Sequence, residues 1–337
     1  MAAATAGTPQ SPPSPALIFE LATAFMRSKH LFTASELGIF AALAAGPRTL
    51  AQLAVGLRLP ARTLRIAVDA VTALGLLERE GDTYRNGAVA QAYLSGRGPG
   101  DMRAFMRFFD RLSYVRWMRL EDSVRLGRGA AGAFNFNAQE QEIFSRGVED
   151  ITDSHALALA ADYDFSRQRR LLDLGGGTGN FLTAILERFP QMQGTLFELP
   201  GAAEVARARL AQHPLSRRIR VIDGDLFKDP IPGGHDTLLL AHVVHVFNAE
   251  RNFELLRLAR RACEPGARLL MVDFWTNPTH TEPLEAALLA GEFLVMAADG
   301  DVYSVEEMRE WLVETGWRFL EHRRLQGPVS LLVAEAV

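Results

Sequence analysis

The 337-residue chain contains a single cysteine, Cys263. One thiol closes no internal disulfide, which suits a reducing compartment and leaves the core to hold the fold. Lysine is almost missing: only Lys29 and Lys228 occur, and arginine carries nearly all of the positive charge. Beside so much alanine, this reads as a GC-rich coding bias rather than a functional signal. Neither sign of charge dominates, since Lys+Arg 36 against Asp+Glu 40 leaves a net charge of −4. A balanced, slightly acidic chain is poorly suited to coating nucleic acid or an anionic membrane. No uninterrupted apolar run reaches the roughly 18 residues of a spanning helix. The opening residues lack the basic stretch and apolar run of a secretory signal. These absences predict a cytoplasmic protein with neither nucleic acid nor membrane as partner. What is present is a 48% hydrophobic chain. At roughly 100–200 residues per domain, that length predicts two domains.

Residues 1–15 are small, polar and proline-rich, and are expected to be disordered. From Ala16 a helical pattern begins, with Leu17, Leu21, Ala24 and Phe25 on one face. Thr33-Ala-Ser-Glu36 and Thr49-Leu-Ala-Gln52 have capping-box spacing and are expected to open short helices. A further helix is expected over 61–74, ended by Gly75, and a hairpin turning at Gly81-Asp82. Helix, helix, longer helix, hairpin is a winged-helix order. Its later helix offers only Arg62 and Arg65, with Asp69 opposing phosphate. Packing against a partner subunit is therefore preferred to reading DNA, and a DNA-binding regulator that senses a cofactor is the competing class. Residues 101–165 are helical and aromatic, including Phe105, Phe108, Phe109, Tyr114, Trp117, Phe134, Phe136 and Phe144. After Phe165, strands near 170–174, 195–199, 219–223, 236–243 and 268–273 alternate with helices, which predicts a parallel sheet covered on both faces. Ser304-Val-Glu-Glu307 caps another helix, and Trp317–Arg323 and Val329–Ala334 close the chain as two strands.

The strongest local signal is Leu171-Leu-Asp-Leu-Gly-Gly-Gly-Thr-Gly-Asn180, a buried strand running into a glycine turn and then a helix. No Gly-Lys-Ser/Thr follows, so this is not a phosphate-cradling P-loop. Glu198 ends the next strand in Phe-Glu-Leu-Pro, where a carboxylate takes the two hydroxyls of an adenosine ribose. A third strand ends in Asp223-Gly-Asp-Leu-Phe227, placing Asp225 for an adenine amino group and Leu226 or Phe227 for its ring. Three strand ends converging on one sheet edge predict an adenosyl ligand without a pyrophosphate, bound at Gly175, Gly177, Glu198, Asp225, Leu226 and Phe227.

Those motifs, with Tyr163-Asp-Phe-Ser166 and the winged-helix start, resemble S-adenosylmethionine-dependent O-methyltransferases of the caffeate and flavonoid type and their bacterial natural-product relatives. The resemblance covers roughly residues 16–337. It implies an α/β chain: a mostly α-helical winged-helix dimerisation domain over 16–100, a helical linker and pocket region over 101–165, and a Rossmann-like class I methyltransferase domain over 166–337. It implies S-adenosyl-L-methionine as cofactor and a homodimer whose first domain closes the partner's active site. It also implies a general-base histidine beyond the fourth strand, commonly in His-Asp-Trp. Here the segment is His242-Val-Val-His-Val-Phe-Asn248, so His245 takes the base position and Val246 and Phe247 replace the acid and the indole. Asp273 falls where the family has the acid that holds the base's tautomer, and Val302 stands where a second acid is usual, with Asp301 one residue away. An offshoot of the family uses iron for carbon methylation. His242 and His245 are three residues apart with no evident third ligand, so the site is expected to be metal-free.

A base matters because a phenol, with pKa about 10, yields phenolate at pH 7 at an expense of roughly 4 kcal/mol. An imidazole placed beside the oxygen removes that proton as the oxygen attacks the sulfonium methyl. The expected pocket draws on Phe105, Phe109, His155, Phe293 and Met296, an apolar set suited to a flat ring or a polyketide. The expected activity is methyl transfer to a hydroxyl of a small aromatic or polyketide-type secondary metabolite. Transfer to carbon or nitrogen on the same fold remains the alternative.

Overall fold

The structure, a computed structural model, describes residues 13–98, 100–132 and 136–337. Most of the expected disordered start and Phe134 lie outside those residues. The chain divides into two compact units, one through Asp101 and one from Met102 to Val337.

The first unit comprises α1 (Ala16–Glu36), α2 (Ile39–Ala42), β1 (Arg48–Thr49), α3 (Leu50–Leu57), α4 (Ala61–Ala73), β2 (Leu77–Glu80), β3 (Thr83–Asn86) and α5 (Ala88–Tyr93). The box at Thr49 forms as its spacing predicts: the Gln52 N–H donates to Thr49 Oγ1 at 3.2 Å, and Gln52 Oε1 accepts the Thr49 N–H at 2.8 Å. The Thr33–Glu36 box does not open a helix. These four residues are the last turn of α1, and the break comes at Gly38, whose φ of 74° is open to glycine. The β2–β3 hairpin gains a third strand, because Arg48 and Thr49 pair with Tyr84 and Thr83. Two residues are too few to show alternation in sequence.

The second unit opens with helices α6 (Arg103–Phe108), α7 (Tyr114–Trp117) and α8 (Leu120–Leu126), with a π-helical turn over Phe109–Ser113. The long α9 (Ala138–Asp162) follows, started by an Asn137–Glu140 capping box. Then β4 (Arg170–Leu174), α10 (Asn180–Arg188), β5 (Gln193–Glu198), α11 (Pro200–Leu210), β6 (Ile219–Asp223), β7 (Thr237–Ala241), α12 (Ala249–Arg261) and β8 (Arg268–Phe274) alternate. The chain ends with α13 (Leu284–Ala297), α14 (Val305–Glu314), β9 (Trp317–Arg324) and β10 (Val329–Ala336). The seven-stranded sheet has the order β6-β5-β4-β7-β8-β10-β9. Strands β4 to β8 pair in parallel, and β10 runs antiparallel to both of its neighbours. Neighbouring residues on each strand enter opposite cores: Leu171, Leu239, Leu270 and Leu331 on one face, and Leu172, Leu238, Leu269 and Leu332 on the other. Each such leucine stabilises the sheet by about 1.5–3 kcal/mol. That two-sided burial explains the unbroken apolar strands. Strand β7 ends at Ala241 rather than at 243, so His242 lies beyond it with φ 57°. No helix of the described residues is long and apolar enough to cross a membrane.

Candidate active site

The carboxyl ends of β4, β5 and β6 form one half of the site. After Leu174 the chain turns through Gly175, Gly177 and Gly179 at φ 70°, 58° and 79°, all in the left-handed region. Gly176 meets a different limit, since a Cβ there would lie 2.2 Å from Asp173 Oδ2. The turn therefore wraps the Asp173 carboxyl, which is fully buried, with neither oxygen hydrogen-bonded among the described residues. Burial, aided by the nearby Glu198 charge, pushes that carboxyl up to about 8. Glu198 Oε2 accepts the Gly177 N–H at 2.9 Å and Oε1 accepts the Leu199 N–H at 2.7 Å. Burial raises the Glu198 pKa, and these two N–H groups oppose it. Leu226 comes within 4.0 Å of the position of a Cβ on Gly175.

Asp225 is engaged more than its motif suggests. Its Oδ1 accepts the Phe227 N–H at 2.9 Å, and its Oδ2 pairs with Lys228 Nζ at 2.7 Å. Burial acts to raise this carboxyl, but the Lys228 and Phe227 hydrogen bonds outweigh it and hold the pKa low. Phe227 meets Phe247 edge-on at 5.0 Å and lies under the Arg251 guanidinium at 4.0 Å. A glycine cradle over an orphaned buried carboxyl, with a strand-end carboxylate beside it, fits the adenosyl and amino acid portions of S-adenosylmethionine.

The ends of β7 and β8 form the other half. His245 sits in a single 3₁₀ turn, Val244–Val246, pinned by the buried Asn252, whose Nδ2 donates to Val244 O and Phe247 O at 2.9 Å each. His245 Nδ1 lies 2.6 Å from Asp273 Oδ1, which also accepts the Phe274 N–H at 2.8 Å. Asp273 is buried, which alone would raise its pKa. The charge and hydrogen bond of His245, then His242 and the Phe274 N–H, more than offset this and keep it ionised. An anionic Asp273 beside Nδ1 favours a proton on that nitrogen and, in the neutral imidazole, leaves the lone pair on Nε2. The turn at Gly300 closes over this segment: a Cβ there would lie 2.6 Å from His245 O, and the Asp301 N–H donates to that oxygen at 3.1 Å. Val302 is buried in the core, and the Asp301 carboxylate is taken by the Val302 N–H at 2.7 Å.

The expected pocket residues fall into two sets. Phe293, on α13, stacks on His245 with centroids 3.6 Å apart and planes 10° apart, while His155, on α9, reaches His242. Phe105 and Phe109 are in ring contact, and Phe109 joins Met296 in an apolar cluster centred on Phe108, Leu112 and Val295. Sequence reasoning missed Glu292 within that second set. It is buried on α13 and accepts from Ser113 Oγ at 2.7 Å and from Trp117 Nε1, with burial raising its pKa against both contacts and Arg116. The signal was an acid in the middle of the Leu284–Ala297 helix, among apolar residues and apart from Glu285 in its first turn. The missing third donor also appears: atoms of His242, His245 and Asp273 lie within 4.8 Å of one another. Asp273, already expected as the acid beside His245, is that donor, and its approach to both histidines is the new finding.

Residues 117–318 match the O-methyltransferase domain, and residues 19–96 match the O-methyltransferase dimerisation domain. The chain belongs to this family of S-adenosylmethionine-dependent O-methyltransferases. The 3-hydroxy-5-methyl-1-naphthoate 3-O-methyltransferase of Streptomyces sahachiroi is 31% identical over 328 residues, covering 96% of this chain and 95% of its own. The tetracenomycin polyketide synthesis 8-O-methyl transferase of Streptomyces glaucescens is 28% identical, covering 95% and 96%. Human N-acetylserotonin methyltransferase, solved in complex with S-adenosylmethionine, superposes with a TM-score of 0.88 at 26% identity, covering 97% of this chain and 99% of that one.

Proposed function

We propose that the protein methylates a hydroxyl of a small aromatic or polyketide-type secondary metabolite, with His245 as general base and Asp273 as the residue that orients it. The 2.6 Å His245–Asp273 hydrogen bond carries this reading, because it leaves Nε2 free to take a proton. S-adenosylmethionine, when bound, supplies an electrophilic methyl group on a sulfonium. Gly175 and Gly177 bring main chain close to it, Glu198 accepts from its ribose, Asp225 receives the adenine amino group, and Leu226 and Phe227 pack on the adenine. Phe293 and His155 line the acceptor beside His245, and Phe105, Phe109 and Met296 line it farther out. No metal has a role in this reading, since the Nδ1 proton and Asp273 satisfy each other. The relatives named for a hydroxynaphthoate and a tetracenomycin polyketide support the acceptor class.

The assembly in this reading is a homodimer through the first unit, working in the cytoplasm. Its support is α1, where Leu17, Ile18, Phe19 and Leu21 are each at least 64% exposed in the single chain. Several large apolar side chains exposed together on one helix are a feature of interfaces. The experiment is a panel of hydroxyarenes incubated with methyl-labelled S-adenosylmethionine. Label in an ether product supports the reading, and label only on carbon or nitrogen overturns the choice of oxygen.

A further inference from the structure

Three histidines, not one, gather beside Asp273. His155 Nδ1 and His242 Nε2 are 3.1 Å apart, a hydrogen bond between imidazoles from α9 and from the residue following β7. His242 holds a left-handed backbone at φ 57°, while its N–H donates to Val272 O at 2.8 Å. A non-glycine residue kept in that region by its surroundings is a recurrent mark of a functional position. The next residue, Val243, is the side chain nearest the Cβ position on Gly175, at 3.2 Å, and the His242 ring lies 6.1 Å from that of Phe181 on the helix after the glycine turn. The His242 ring lies 5.3 Å from Phe274 and 5.9 Å from His245, centroid to centroid. Among the described residues nothing hydrogen-bonds the remaining nitrogens: Nε2 of His155, Nδ1 of His242 and Nε2 of His245.

We propose that the His155–His242 pair holds a second oxygen of the acceptor, ortho or peri to the hydroxyl that is methylated, so that the acceptor is an oxygen-flanked hydroxyarene. This rests on the O-methylation reading above. One ring of the pair donates to the other, so its two free nitrogens always offer one N–H and one lone pair. Burial favours the neutral form of both rings, against the pull of Asp273. The pair therefore presents hydrogen-bonding groups without a second positive charge beside the sulfonium. Ortho and peri oxygens sit about 2.7 Å apart, close enough for the hydroxyl to donate to its neighbour. That internal bond competes with His245. An N–H from the pair on the flanking oxygen releases the hydroxyl proton toward His245 Nε2. As the new O–CH₃ bond forms, the S–CH₃ bond breaks with its electron pair left on sulfur, and the proton passes to His245.

The test uses the full chain saturated with S-adenosylhomocysteine and two isomers, 1-hydroxyanthraquinone, whose hydroxyl is peri to a carbonyl, and 2-hydroxyanthraquinone, whose hydroxyl is not. Binding is read from the absorbance change of the quinone. The 1-isomer is expected to bind about tenfold tighter, with His155→Phe weakening it more than the 2-isomer by about that factor, so that the margin is lost. His155→Gln, which keeps a polar group near the Nε2 position, is expected to recover most of the margin. A merely structural role would move both isomers together and give no such recovery. Equal binding of the isomers, binding of neither, or a uniform loss in His155→Phe overturns the proposal. Failure of the methyltransferase reading is distinct, because S-adenosylhomocysteine itself would then show no heat of binding.

Discussion

The proposed cofactor side of the site, at the ends of β4, β5 and β6, joins a main-chain glycine turn to strand-end side chains, whereas the proposed acceptor side, at the ends of β7 and β8, is made of side chains alone. On the first side each group belongs to a short local motif at the end of its strand: a glycine turn with the acid beneath it, and the acids closing the next two strands. On the second, His155, His242, His245, Asp273, Glu292 and Phe293 arrive from two helices, the residue after β7, a 3₁₀ turn and a strand. A cofactor common to a whole family needs the same main-chain approach in every member. An acceptor that differs among members needs side chains that can be exchanged without disturbing the sheet.

If that contrast is sound, substitutions on the two sides separate binding from turnover. The largest effect is expected for Gly176→Ala, where the added carbon meets Asp173 at 2.2 Å. The turn or the buried Asp173 carboxyl must shift, and calorimetry with S-adenosylhomocysteine is expected to show about a hundredfold loss of affinity or more. Asp273→Asn leaves the fold and cofactor affinity in place but removes the anion that fixes the His245 tautomer. Turnover in a saturated assay is expected to fall about a hundredfold. Glu198→Gln removes a charged acceptor worth about 1.5–3 kcal/mol, which corresponds to roughly 10–150-fold in the cofactor Kd with little change in kcat.

A smaller effect concerns pH. The Asp173 carboxyl titrates at about 8 in the folded protein, against about 3.9 in the unfolded chain. The folded state therefore binds the extra proton between those values, and the ligand-free protein loses stability as pH rises through that window. Thermal melts of the ligand-free parent are expected to show this decline, and Asp173→Asn is expected to flatten it between about pH 5 and 8. The smallest effect is expected from Phe293→Leu, which removes the ring stacked on His245. A loss of about 0.5–1.5 kcal/mol, seen as a modest fall in Tm and a few-fold fall in kcat, is consistent with one aromatic contact.

The same contrast decides what was legible in sequence. The glycine turn, Glu198 and the parallel strands follow local patterns of spacing and hydropathy, and the structure brings them together at one edge. The Thr33–Glu36 segment misled because a capping motif inside an apolar helical run is outweighed by the run itself. The end of β7 was set too late because Val243 and Val244 prolong the apolar pattern, while the backbone turn at His242 leaves no mark in composition. The His155–His242 hydrogen bond joins residues 87 positions apart, and the unpartnered Asp173 carboxyl is a property of burial. Neither has a spacing to read.

In the proposed reaction His245 takes the proton of the acceptor hydroxyl. The most direct measurement compares the parent with His245→Ala on one accepted hydroxyarene, at saturating S-adenosylmethionine, with cofactor affinity measured in parallel. A fall in kcat of about 10²–10⁴-fold with an unchanged cofactor Kd is expected. Normal turnover by His245→Ala, with the cofactor equally well bound, would contradict it.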